Sequence, residues 1–405
     1  MLTYKTQKTE RQYFIDWLRI ILILSVFLFH IGMFFNNWGW HVKNPTQYGG
    51  ILENIMIFLS RWRMPLLFLI SGAGTYYALG KRTPGKYLGE RFKRLMIPFL
   101  AGIFILVPVQ VYLEKADQYS SLLSFYPQMF EGIYPEGNFS WHHLWFILYL
   151  FVISLFIAPF LKMFKSRGYQ RFSIRLERFA GRPLSLNIVV AILIVSQLLL
   201  RPYFPDDTHA LFNDWASMAL DIIFFVSGFM LLSSKKIIES IRKQKKLFLM
   251  EAAVFTAAMF SSPHLFADDS GADLSWGISS MFMAWSCALA AIGYAKQYLN
   301  RDTRLRKAAN EAIYPFYLLH QPVILLLGFF LIKVEMPDFM RFVILTLSGF
   351  GITLGFYWFL VRPFNIARVI FGMKPLPRSE KAGNIEENLQ LMPQAVIESE
   401  LRKAN

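Results

Sequence analysis

Cysteine is almost missing: Cys287 is the single one in 405 residues, and it lies in an apolar run. That excludes an intramolecular disulfide, leaves the redox compartment unmarked, and suits a packing role. Acidic residues are scarce as well, 27 against 42 Lys and Arg, and there is no G-x-S-x-G, no P-loop and no dinucleotide fingerprint. The usual supports for a serine hydrolase or a nucleotide-driven pump are therefore absent. No repeat of fixed period and no low-complexity tract is found either.

What the chain has in abundance is apolar length. It is 55% hydrophobic and 17% charged, and it divides into runs of roughly 17 to 25 residues, the length that crosses a bilayer as a helix. This predicts an all-α, polytopic membrane bundle of ten helices, at about 15–35, 64–80, 95–113, 142–161, 186–201, 213–232, 247–262, 276–295, 312–332 and 341–361. The first run follows Lys5, Lys8 and Arg11 but is too long for a signal peptide and lacks a small-residue cleavage site, so it reads as a retained span. Domain limits follow: 1–14 as an N-terminal segment, 15–370 as the membrane domain, 371–405 as a polar tail.

A net charge of +15 would suggest nucleic acid in a soluble domain, but here it is confined to short loops. Of the 42 Lys and Arg, 34 lie before residue 14, in 81–94, 162–182, 233–246 and 296–307, or after 361. The positive-inside rule places these loops, and both termini, in the cytoplasm. The opposite loops carry Asp206-Asp207 and Asp268-Asp269. Segments 81–94 and 233–246 read as basic helices on the inner surface. Segment 51–63 is apolar enough to dip into the outer leaflet, or to continue the second span through Pro65 as a kinked helix.

The chemistry-bearing residues are the polar ones inside these runs. Asp16, Arg19 and His30 lie in the first. Eleven residues turn a helix by about 1100°, some 20° past three turns, so Arg19 and His30 share a face roughly 16 Å apart along the axis. Such a pair could hold an anionic donor at the inner surface and present a base at the far end of its arm. Alternatively, Arg19 snorkels to phosphates and His30 bonds another helix. Arg91 and Arg94, at i and i+3 before the third span, suit bidentate phosphate recognition or serve only as orientation signals. His320 lies between Pro315 and Pro322. Either the prolines open the backbone around a cavity that His320 lines, or His320 repairs a freed carbonyl.

His142 and His143 fit interfacial anchors. His41, His209 and His264 fall in outer loops, and no pair of histidines has ligand spacing, so no metal is assigned. Arg63, in "RWRMP", is about 25 Å up its helix from Gly80, while His30 is about 22 Å up from Ile15. It stands ready to hold an acyl carboxylate, or it snorkels outward or meets Glu53 or an acidic loop.

The motifs "FID" with Arg19-x10-His30, "FLISGAG" (68–74), "RFKR" (91–94) and "YPFYLLHQP" (314–322), in that order, resemble the integral-membrane acyltransferase-3 family over about residues 11 to 370. "RQYFIDWLR", "WHV" at 40–42, "RMPLLFLISG" and "HLWFIL" are most similar to its glucan-modifying branch, one member of which is assigned succinylation of periplasmic glucans. Ala73 and Gln321 depart from that branch, at the cost of acceptor identity more than of chemistry. The resemblance implies ten spans in a cell inner membrane, acyl-CoA as donor substrate with no permanently bound cofactor, and an extracytoplasmic glycan acceptor. It implies His30 as the catalytic residue and Arg19, Arg91 and Arg94 as acyl-CoA-binding residues.

On that reading His30 acts as a base on the sugar hydroxyl or carries the acyl group, His320 or Ser71 stabilises the thioester oxygen, Arg63 and Ser71 select acyl group or acceptor, and Asp16 supports the site. Membrane lipids surround the bundle, nucleic acid is no partner, and a separate periplasmic protein either completes the transfer or is not needed. The rival is a transporter or flippase of an anionic glycan precursor, with the same residues as substrate or proton-relay groups.

Overall fold

The computed structural model describes residues 11–79, 83–266 and 268–376, apart from the side chain of Lys165. Residues 1–10 and the end of the tail from 377 lie outside it. Among the described residues the regular structure is helical, with only two isolated β-bridges. The helices are α1 (Tyr13–Phe35), α2 (Ile51–Leu79), α3 (Pro84–Glu114), α4 (His142–Phe164), α5 (Arg167–Ala180), α6 (Ser185–Leu200), α7 (Trp215–Leu231), α8 (Lys235–Leu265), α9 (Asp269–Tyr298), α10 (Arg304–Leu331) and α11 (Asp338–Val361). The chain is a polytopic helical membrane protein.

Each of the ten expected runs lies on one of these helices. Their lengths tell a finer story. Seven are long and apolar enough to cross a membrane alone, and nine crossings result if the bent pairs α5 with α6 (120°) and α7 with α8 (110°) each count as one. The physical reason is that α6 and α7 are 16 and 17 residues long, about 24 to 26 Å against a hydrocarbon core near 30 Å.

Two expected surface helices are instead the first turns of longer ones. Residues 235–246 open the continuous α8, which packs along α9. Residues 84–94 run into the third span through a π-helical segment, Phe92–Met96. Segment 51–63 belongs to the unbroken α2, which carries Pro65 inside it.

Burial follows from who covers whom. α1 lies against α2, α9, α10 and α11, and Phe14, Leu22, Phe27, Ile31 and Phe34 are all but sealed from solvent. α10 is buried at nearly every position from Ala312 to Leu325, as expected of a helix that is apolar all round. α2 and α7 cross so closely that a Cβ on Gly72 would stand 1.9 Å from the Phe225 carbonyl oxygen, and one on Gly228 1.8 Å from that of Leu69. Only hydrogen fits there, the small-residue contact by which membrane helices pack backbone to backbone. The α8–α9 hairpin is tied by a polar contact in its interior, Ser286 Oγ donating to Glu251 at 2.8 Å.

Candidate active site

At the end of the bundle that carries the basic loops, α1, α2, α3, α4 and α10 enclose a cavity of about 210 Å³. Arg19, Arg91, Arg94 and Ser71 line it together with Tyr314 and Tyr317. Two helices distant in sequence, α1 and α3, thus bring the three expected donor-binding arginines to one space. Arg91 is held from two sides: its Nη2 donates to Thr75 Oγ1 at 2.6 Å and its Nε to the Tyr87 hydroxyl at 3.1 Å. The π-helical turn that contains Arg94 widens the helix where the cationic side chains leave it, a device frequent at functional sites.

Arg19 is positioned by neighbours that the sequence pattern did not reveal. Its Nη1 donates to Asn310 at 3.3 Å and lies 3.6 Å from Asp16. Asp16 also pairs with Arg11 at 2.9 Å and with the buried Arg306. This carboxylate therefore anchors α1 to α10 and sits between cations. Ser71 Oγ donates back to the Leu67 carbonyl at 2.7 Å. Eight residues beyond Arg63, it lies about 12 Å further down α2, with the cavity rather than beside Arg63.

Toward the opposite end, α1 and α10 bring two imidazoles into contact. His30 Nδ1 and His320 Nε2 are 2.8 Å apart, and His320 Nδ1 lies 2.6 Å from the Tyr317 carbonyl oxygen. A carbonyl only accepts, so His320 Nδ1 bears the proton and, in the neutral ring, Nε2 is the acceptor. His30 Nδ1–H then donates to it, and His30 Nε2 is left with its lone pair free. The rings form part of a stack: Trp40 lies 6.0 Å from His30, His30 5.0 Å from His320, and His320 6.3 Å from Phe316, all within 20° of parallel.

His142 and His143 are not interfacial anchors. His143 is buried, its Nε2–H donates to the Leu318 carbonyl at 3.1 Å, and its ring stands edge-on to His320 at 5.5 Å. The cause is Pro322: it has no N–H, so the carbonyl four residues earlier, that of Leu318, loses its helical partner. His143 supplies one from α4. The freed carbonyl is thus repaired, but by His143, while His320 turns to Tyr317. His142 packs against His41, with ring centroids 4.3 Å apart.

Arg63 neither snorkels nor meets Glu53, which takes bonds from Trp38 and Asn37. It is 4% exposed, with its guanidinium 4.0 Å from the centre of the Phe29 ring, the residue before His30. Its Nε and Nη1 are buried without a hydrogen-bond partner. Cation–π attraction compensates a desolvated charge in part and leaves these donors unused.

One residue joins the two halves of the site. Tyr317 lines the cavity, accepts the His320 Nδ1–H bond on its carbonyl, and donates its hydroxyl to the His143 carbonyl. Cavity and histidine pair lie on either side of it. Among the described residues no group of three or more His, Cys, Asp or Glu is arranged to hold a metal ion.

The structure is thus a helical membrane bundle with a buried imidazole pair and, beside it, a cavity lined by three arginines. The chain belongs to the acyltransferase family whose model, "Acyltransferase domain", matches residues 12–361. Among its relatives is "Glucans biosynthesis protein C" of Escherichia coli (strain K12), 22% identical over 391 residues, which span 92% of this chain and 97% of the relative. The protein of that name from Escherichia coli O1:K1 / APEC is 22% identical over 393 residues with the same coverage. No solved structure matches. The protein is a multi-pass membrane acyltransferase.

Proposed function

We propose that this protein is an acyl-CoA-dependent O-acyltransferase of the cell inner membrane. It moves a succinyl or acetyl group from the cytoplasm to a hydroxyl of an extracytoplasmic glycan, in the first instance a periplasmic glucan. The observation that carries the reading is the His30–His320 pair, one residue away from a cavity lined by Arg19, Arg91 and Arg94. The names of the relatives favour a glucan acceptor, and family membership favours transfer over the transporter reading.

Acyl-CoA is the donor substrate, its phosphates gripped by Arg19, Arg91 and Arg94 and its pantetheine arm passing Tyr317. His30 Nε2 takes the proton of the acceptor hydroxyl as its oxygen attacks the thioester carbon. The C–S bond breaks, the thiolate leaves with the electron pair, and the proton on His30 passes to it, so acceptor ester and free CoA form with no other reactant. His320 holds the His30 ring in the tautomer with Nε2 free. Arg63 pairs with the free carboxylate of a succinyl group.

The test is release of free CoA from succinyl-CoA by the purified protein, measured with and without a glucan oligosaccharide, and mass spectrometry of the glucan. His30→Ala lowers transfer by about 100-fold or more, whereas His320→Ala, which loosens the base without removing it, costs less. Arg91→Gln with Arg94→Gln raises the KM for acyl-CoA, since both meet a part of the donor that does not react. Wild-type transfer by His30→Ala would overturn the mechanism.

A further inference from the structure

A second histidine cluster stands at the other side of the His30–His320 pair, and the mechanism above leaves it unused. His41 Nδ1 lies 2.5 Å from Glu114 Oε2, and the Tyr134 hydroxyl donates to Glu114 Oε1 at 3.1 Å. An ionised carboxylate only accepts, so His41 bears a proton on Nδ1 and, in the neutral ring, its Nε2 presents a lone pair. The His142 ring is edge-on to His41 at 4.3 Å and to Tyr134 at 4.9 Å. His142 Nε2 is buried without a hydrogen-bond partner, and its backbone takes a φ of +37°, a conformation a non-glycine residue holds only where the surroundings impose it. Trp40, next to His41 in sequence, stacks on the His30 ring at 6.0 Å. The cluster is therefore linked to the base through Trp40, whose ring lies 6.0 Å from that of His30 and 6.1 Å from that of His41.

A carboxylate–imidazole pair built only for packing would spend both ring nitrogens on the protein. Here His41 Nε2 and His142 Nε2 make no hydrogen bond among the described residues. Hydroxyl groups match this chemistry, since each both donates and accepts, and the neighbouring aromatic rings of Trp40, Trp141 and Tyr134 offer apolar surface to the C–H faces of a sugar. We propose that Glu114, His41 and His142 form the acceptor subsite, which binds two hydroxyls of one sugar residue and so delivers a third to His30 Nε2. This rests on the acyl-transfer reading above.

The experiment uses the full-length protein in nanodiscs, with succinyl-CoA and a glucan oligosaccharide as the probes. CoA release without acceptor reports the donor side alone. His41→Gln raises the KM for the oligosaccharide by about tenfold or more, while the KM for succinyl-CoA and the acceptor-independent release of CoA stay at wild-type values. Glu114→Gln, which retains an oxygen acceptor for His41, does the same to a smaller degree and carries the test if His41→Gln does not yield a monodisperse protein. An unchanged acceptor KM in the variants, with wild-type transfer intact, overturns the subsite alone. A wild type that releases no CoA under any condition overturns the acyl-transfer reading and the subsite with it.

Discussion

Arg63 brings a full charge into the bundle, and the residues around it leave Nε and Nη1 without partners. An arginine inside a membrane segment is costly to insert, and among the described residues no ion pair offsets this one, so the proposed reading gives it an anion that arrives later, the acyl carboxylate. Its place beside Phe29, adjacent to His30, puts that anion at the acyl end of the donor. Arg63→Gln is therefore expected to lower kcat/KM with succinyl-CoA at least about tenfold more than with acetyl-CoA, because only succinyl offers a carboxylate to pair. Equal losses with both donors in a steady-state assay would remove Arg63 from acyl selection. The shared depth of Arg63 and His30 was legible in the sequence by counting helical rise. The role of His143 was not, because the carbonyl it serves lies on another helix, and a freed acceptor has no sequence mark beyond Pro322 itself.

The Ser71-Gly72 and Ser227-Gly228 pairs explain part of a motif that reads as a site. Gly72 is where α2 touches α7, with the Phe225 carbonyl in the space a side chain would need. Gly72→Leu must push two backbones apart, so it is expected to destabilise the protein by about 3 kcal/mol or more, the upper end for overpacking. Gly355→Ala, with open space around its Cβ, serves as the near-neutral control. Thermal unfolding of both variants in detergent checks this, and equal melting temperatures would refute the crossing. At this scale hydropathy located ten of the eleven helices, since those runs are long and apolar; it passed over α5, a polar helix in the segment read as a basic loop. It missed the 110° and 120° bends and the continuity of α8, because transfer free energy reports what a residue prefers, not which neighbour covers it or where the chain turns.

Whole-molecule topology turns on the bent pairs, since nine crossings put the chain ends on opposite sides and ten put them on the same side. α8 is 31 residues long, about 46 Å. Its first twelve residues, 235–246, hold six Lys and Arg; the remaining 19 rise about 29 Å, close to the thickness of the hydrocarbon core. We propose on this arithmetic that the basic third of α8 belongs at the headgroups and the rest is a span of its own, an arrangement in which α7 and α8 cross separately and the expected count of ten is kept. Single cysteines in a Cys287→Ala background test this with a membrane-impermeant thiol reagent. Asp206→Cys, beside the ion-paired Asp207, and Asp269→Cys, at the start of α9, should label from the same face, as should Ser120→Cys. Lys86→Cys, Arg171→Cys, Lys243→Cys and Arg304→Cys should label only once the membrane is opened from the other side. If Asp206→Cys and Asp269→Cys label from opposite faces, α7 and α8 form one broken span, the count falls to nine, and the assignment of both termini to the cytoplasm goes with it.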